Sequence, residues 1–202
     1  MITIRLAQKK DAESILAIYR PFIENTPVSF EETIPTMEQF WERIQKVLQD
    51  YPWLVCEINY DIAGYAYATA HRERASYRWT KEVSVYVHPN YIRRGIGTGL
   101  YTALLELLKL QGVKNILAGI TLPNKGSLAF HENFGFSRIG VYTKVGFKFG
   151  CWHDVEWWEL KIDDPNTNPD RLRKLDEIVD TEGWKAAIEM GIENIKNVLP
   201  PF

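Results

Sequence analysis

The stretch Val83-Ser84-Val85-Tyr86-Val87-His88-Pro89-Asn90-Tyr91-Ile92-Arg93-Arg94-Gly95-Ile96-Gly97-Thr98-Gly99-Leu100 decides how this chain is read. Its opening, rich in β-branched residues, predicts a strand over 82–87. Pro89 ends that strand, and a glycine-rich turn follows. A strongly apolar run then predicts a helix to about Gln111, stopped by Gly112. Strand, glycine turn and helix in that order make an anion site. Backbone N–H groups at a helix start lack intrahelical acceptors, and the helix dipole favours negative charge there. Glycine lets the backbone approach a phosphate closely and take positive φ. Two common nucleotide readings fail. A dinucleotide fingerprint needs G-x-G-x-x-G/A, but counting from Gly95 the last position is Leu100. The acidic residue expected about 20 residues further on is replaced by Val113-Lys114-Asn115. A P-loop needs Gly-Lys-Ser/Thr, which the turn does not contain.

Working outward, residues 2–6 predict a first strand. A helix follows to about Glu24, with Asp11 as its N-cap and Ile15, Leu16, Ile18, Tyr19, Phe22 and Ile23 at helical spacing. Residues 25–35 read as irregular, and a second amphipathic helix starts near Thr36. Strands at 53–58 and 62–70 flank the turn Asn59-Tyr60-Asp61, and a polar loop, 71–80, leads to the quoted stretch. Strand 116–121, helix 125–133 and strands at 136–143 and 154–162 follow. The order β-α-α-β-β-β-α-β-α-β-β predicts an α/β domain with a mixed sheet over residues 1–162. Residues 163–202 read as a linker, 163–170, and one or two amphipathic helices that pack on the domain or on a partner.

Composition excludes several classes. The 202 residues carry 24 Lys and Arg against 26 Asp and Glu. A net charge of −2 leaves no basic surplus to displace phosphate counterions, so nucleic acid is not an expected partner. No apolar run approaches the roughly 18 residues needed to span a bilayer, and residues 1–13 do not read as a signal peptide. Cys56 and Cys151 show no metal-ligand spacing, so no metal is expected. Both read as buried apolar positions in a reducing cytoplasm.

Arg94-x-x-Gly97-x-Gly99 after a valine-rich strand resembles the acyl-CoA signature of the GNAT superfamily of N-acetyltransferases. Asn124 and the segment from Ser127 to Phe136, with His131-Glu132 and Gly135-Phe136, resemble the second half of that signature. Further blocks resemble the phosphinothricin and methionine sulfone/sulfoximine acetyltransferases over residues 2–162. These are Tyr51-Pro52-Trp53-Leu54-Val55, Ala63-Gly64-Tyr65-Ala66-Tyr67-Ala68, Tyr77-x-Trp79-Thr80-x-Glu82 and Gly146-x-Lys148-x-Gly150-x-Trp152-x-Asp154.

The resemblance implies the GNAT fold and acetyl-CoA as cosubstrate. It also implies an acetyl group passed to a small amino-acid-like amine by direct attack, as in detoxification of an amino acid analogue. The cofactor would be held by Val85, Tyr86 and Val87 on the strand, by Arg93, Arg94, Gly95, Ile96, Gly97, Thr98 and Gly99 in the turn, and by Asn124, which is also a good helix N-cap. A carboxylate at Glu82 can take the ammonium proton directly or through water. His131, where many relatives carry tyrosine, is the expected acid for the departing thiolate, with Tyr86 and Tyr101 as substitutes. Arg72 and Arg74 at i, i+2 suit an acceptor carboxylate or phosphinate, with Phe30 and Tyr77 in the same pocket. A homodimer is implied, with the segment 146–152 reaching the neighbouring subunit. Two other functions remain open at this point: acetylation of a protein or peptide amine, and a non-catalytic CoA-binding module.

Overall fold

The computed structural model describes residues 1–162 and 168–198. Seven strands form one sheet in the order β1-β2-β3-β4-β5-β7-β6. These are β1 (Ile2–Leu6), β2 (Trp53–Ile58), β3 (Asp61–Ala70), β4 (Thr80–Val87), β5 (Asn115–Thr121), β6 (Ser137–Lys148) and β7 (Cys151–Lys161). All neighbouring pairs are antiparallel except β4 with β5. The expected mixed α/β architecture is what the chain forms.

Side chains on successive strand residues point to opposite faces, so the central strands feed two cores. Trp53, Val55 and Tyr65 pack beneath α1 (Ala12–Asn25) and α2 (Met37–Leu48) with Ile15, Ile18, Phe40 and Ile44. Leu54, Cys56, Ala66 and Ala68 pack on the other face with Leu100, Leu104 and Leu108 of α3 (Ile96–Gln111). Asp11 occupies the N-cap position of α1, but its carboxylate is turned away. It accepts from Gln8 N at 2.7 Å and pairs with Arg5 at 2.6 Å. Thr36 and Gln39 form a reciprocal capping box on α2, which fixes its expected start.

The structure differs from the sequence expectation in two places. The strands at 136–143 and 154–162 are longer and meet in one hairpin, because Phe149 and Gly150 both take positive φ (52° and 73°) and close a two-residue turn. Gly146 stays in the ladder opposite His153. Cys151 is exposed beside this turn, unlike Cys56, whose thiol is pushed up to about 12 by burial.

The C-terminal segment packs against the domain. Its expected linker falls partly outside the described residues. Beyond it lie a short 3-10 turn (Leu175–Glu177) and a single α-helix, α5 (Glu182–Lys196). Helix α5 lies on α3, burying Trp184, Ala187 and Ile195. Two glycines make the approach possible: a Cβ on Gly99 would sit 2.4 Å from the Gly191 carbonyl, and one on Gly191 2.6 Å from the Gly99 carbonyl.

Candidate active site

Strands β4 and β5 pair only through Thr80–Glu82 and Asn115–Leu117, and then diverge. Strand β5 stays with β7 along its whole length, so the edge of β4 from Val83 onward faces an opening. A cavity of about 170 Å³ fills it, lined by residues 83–86 and 118–121 together with Asn124, Ser127 and His131. The alternation of an antiparallel ladder decides which backbone groups face it. His88 N bonds Ala63 O, and Tyr86 lies opposite Tyr65 two residues back in the same register. The backbone groups of Tyr86 therefore belong to β3, and those of Val85 and Val87, with the Val83 carbonyl, point into the opening. The Tyr86 ring is packed against Tyr19, Phe22 and Tyr65, and burial raises its hydroxyl well above 10.

At the start of α3, Gly95 is the N-cap with φ 76°, and Arg93 also takes positive φ. The first intrahelical bond runs from Gly99 N to Gly95 O, at 2.8 Å. The N–H groups of Ile96, Gly97 and Thr98 thus have no intrahelical acceptor and are free to meet an anion. Arg93 and Arg94 are exposed on the preceding turn, with the Arg94 guanidinium 5.7 Å from the Tyr91 ring centre. Gly99 does not share in this cradle. Its N–H is already bonded and its Cα faces α5, so its glycine character serves helix packing.

Glu82 is half-buried at the point where the two strands separate. Its Oε1 lies 2.6 Å from Nδ1 of His71. In the β3–β4 register His71 stands diagonal to Glu82, one step beyond the Ala70–Lys81 pair. The His71 ring is held by edge contacts to Tyr77 (5.6 Å) and Trp157 (6.2 Å). It also lines a second cavity, of about 460 Å³, with Arg72, Arg74 and Tyr77. Neither arginine side chain has an ion-pair or hydrogen-bond partner among the described residues. Phe30 is not in this wall: its ring covers Gly146 and lies 6.3 Å from the His153 ring.

Asn124 caps α4 (Lys125–Asn133), its Oδ1 accepting from Ser127 N at 3.1 Å, and also borders the β4–β5 opening. Cis Leu122-Pro123 precedes it. His131 is 5% exposed. Its Nδ1 is 2.8 Å from the Ser127 carbonyl and its Nε2 is 2.9 Å from the Tyr101 hydroxyl. A carbonyl can only accept, so Nδ1 carries the hydrogen and Nε2 accepts from Tyr101. Burial lowers the pKa of the imidazole and raises that of the fully buried Tyr101 hydroxyl. The expectation of a thiolate acid at His131 gains no support from this arrangement, since the neutral ring has both nitrogens engaged.

Sequence reasoning gave no role to His71 or Lys148. The hairpin register was the available signal for His71. Lys148 is buried, and its Nζ donates to the carbonyls of Ile23, Thr26 and Ser29 at 2.7, 3.0 and 2.6 Å. It thereby ties the β6–β7 hairpin to the end of α1 and the segment carrying Phe30. Among the described residues no cluster of His, Cys, Asp or Glu is arranged to hold a metal ion.

A strand edge opened beside a bare helix N-terminus suits an extended ligand that ends in an anionic group. The GNAT acetyltransferase domain family matches residues 4–157. The phosphinothricin N-acetyltransferase of Streptomyces viridochromogenes is 36% identical over 164 residues, covering 81% of this chain and 90% of that protein. The L-methionine sulfoximine/L-methionine sulfone acetyltransferase of Salmonella typhimurium is 33% identical over 165 residues, 81% of this chain and 96% of its own. A phosphinothricin acetyltransferase from Sinorhizobium meliloti, solved in complex with acetyl-CoA, superimposes with a TM-score of 0.80 at 31% identity, covering 84% of this chain and 93% of that one. The chain belongs to the GNAT family of acetyltransferases.

Proposed function

We propose that this enzyme transfers the acetyl group of acetyl-CoA to the amino group of a small amino-acid-like acceptor of the phosphinothricin, methionine sulfone or methionine sulfoximine type. One observation carries the acceptor class. The cavity with Arg72 and Arg74, two guanidiniums without a partner among the described residues, shares His71 as a wall with the Glu82 carboxylate. Paired guanidiniums suit a carboxylate or phosphinate, and the carboxylate suits the acceptor's ammonium. The names of the relatives point the same way.

Acetyl-CoA supplies the activated acetyl group. The free N–H groups of Ile96, Gly97 and Thr98, with Arg93 and Arg94 beside them, suit its pyrophosphate. The open backbone groups of Val85 and Val87 suit the amides of its pantetheine arm, as an added strand would. A backbone N–H on this edge polarises the thioester carbonyl, the preorganised dipole that dominates acyl transfer. Glu82 takes the ammonium proton and frees the amine for attack; as the C–N bond forms the C–S bond breaks, and the departing thiolate takes up the second amine proton to leave as CoA thiol. His131 pins α4 to α3 and keeps Asn124 and Ser127 at the opening. Residues 1–162 carry all of this chemistry. The hairpin of β6 and β7 exposes Phe147, Phe149 and Trp152, and a second copy of the chain is the partner that suits it.

The test is free-thiol release from acetyl-CoA with L-phosphinothricin, L-methionine sulfone, L-methionine sulfoximine, ordinary amines and a peptide, with Glu82→Gln as control. Turnover on the first three that disappears in the variant supports the reading. Turnover on the peptide alone moves the acceptor to a protein amine. Silence on all, with acetyl-CoA still bound, leaves a CoA-binding module.

A further inference from the structure

We propose that His71 is the positioning residue of the catalytic carboxylate: it holds Glu82 Oε1 and leaves Oε2 directed to the acceptor's ammonium. The inference rests on the role given above to Glu82.

A carboxylate on a flexible side chain accepts a proton efficiently only when one oxygen is held and the other is free. Glu82 meets that condition. Oε1 is 2.6 Å from His71 Nδ1, while Oε2 has no hydrogen-bond partner among the described residues. Two acceptors cannot approach so closely without a proton between them, so Nδ1–H donates. The ring is packed by T-shaped contacts to both Tyr77 and Trp157. The imidazole is also less open to water than the carboxylate, with side-chain exposures of 15% and 34%.

The groups facing His71 are Glu82 from β4, Tyr77 from the short 3-10 turn and the uncharged Trp157 from β7. Arg72, Glu73 and Arg74 flank it in its own loop. Among these, Glu82 alone is bonded to the ring.

His71→Phe removes the donor and keeps a planar ring between Tyr77 and Trp157. His71→Asn keeps a neutral N–H donor in its place. The expected result is a kcat lowered roughly ten- to a hundredfold in His71→Phe, with KM for acetyl-CoA unchanged. In His71→Asn, which keeps the donor, most of kcat returns. Thermal unfolding of both variants, matched to the parent, separates this from misfolding; a His71→Phe protein that unfolds early hands the decision to His71→Leu, read by the same split of kcat from KM. A folded His71→Phe or His71→Leu enzyme with parental kcat overturns the proposal, and so does a folded His71→Asn enzyme as slow as the variants without a donor. Glu82→Gln measured alongside keeps the two readings apart. If it retains turnover, the role of Glu82 itself fails; if it is inactive while His71→Phe is normal, only the role of His71 fails.

Discussion

His71 and His131 occupy one active-site region and are held in opposite ways. His71 donates to an ionisable carboxylate and lines a cavity open to solvent. His131 lies between a backbone carbonyl and a phenol, 5% exposed, where burial outweighs the carbonyl's help and favours the neutral ring. An imidazole can carry charge during turnover only if its partner stabilises that charge, and partner rather than residue type separates these two. The chemistry should follow the carboxylate side.

The largest effect expected from that contrast is in turnover. Glu82→Gln should lower kcat by about 10²–10⁴ with acetyl-CoA affinity unchanged, by steady-state kinetics and calorimetric titration. His131→Asn should stay within about tenfold of the parent and keep the alkaline limb of its pH profile. A His131 variant as slow as the Glu82 variant, with that limb lost, would restore the imidazole as the thiolate's acid and dissolve the contrast.

Arg72→Gln and Arg74→Gln sharpen the carboxylate side. Each should raise KM for the amino-acid acceptor by roughly tenfold to a hundredfold, the worth of a charge-assisted hydrogen bond of about 1.5–3 kcal/mol. KM for acetyl-CoA should not move, because its proposed cradle lies at the start of α3. If neither variant affects the acceptor, the cavity beside His71 is not its binding site.

The fold was legible in the sequence because its signals are local. The glycine turn, the apolar spacing of α1 and α3, and the valine-rich β4 each fix an element without help from elsewhere. The free N–H groups of Ile96, Gly97 and Thr98 follow from the same local pattern. What escaped depends on long-range contact. Gly99 looks like part of the phosphate turn, yet it is shaped by Gly191, which lies beyond the family match at 157. Phe30 and Arg72 read as one pocket, but Lys148 fixes the Phe30 segment against the β6–β7 hairpin instead. His71 could be matched to Glu82 only once the hairpin register was known.

The buried histidine should show itself in stability. His131→Asn should lose about 1–3 kcal/mol, since Tyr101 and Ser127 each lose an ideally placed partner in the core. The folded-state pKa of His131 is lowered, so the unfolded chain binds its proton more tightly. Its contribution is therefore present above the unfolded value of about 6.5 and is lost as pH falls below it. Urea unfolding at pH 5.5 and 7.5 should show a smaller pH difference in the variant than in the parent. An equal difference would mean that His131 is charged in the fold.

Lys81 and Glu82 repeat the contrast on adjacent residues of one strand, and here the expected effect is smallest. Alternation turns Glu82 to the cavity side and Lys81 into the core, where it is 1% exposed. Its ammonium has the Tyr51 hydroxyl at 2.7 Å and the Tyr51 ring at 4.2 Å, with no carboxylate paired to it among the described residues. Burial therefore lowers its pKa from 10.5 to about 8. Below pH 8 the fold holds a charge that the unfolded chain carries more easily, and stability rises with pH between about 8 and 10.5. Lys81→Met removes that burden and the Tyr51 hydrogen bond together, so the net gain at pH 7 should be about 1 kcal/mol. The gain should shrink as the pH is raised through 8 towards 10.5. Turnover should be unchanged, because the side chain points away from the opening. A Lys81→Met protein that is less stable at pH 7 would show that the tyrosine compensates the buried ammonium in full, and that partner quality, more than burial, governs both faces of β4.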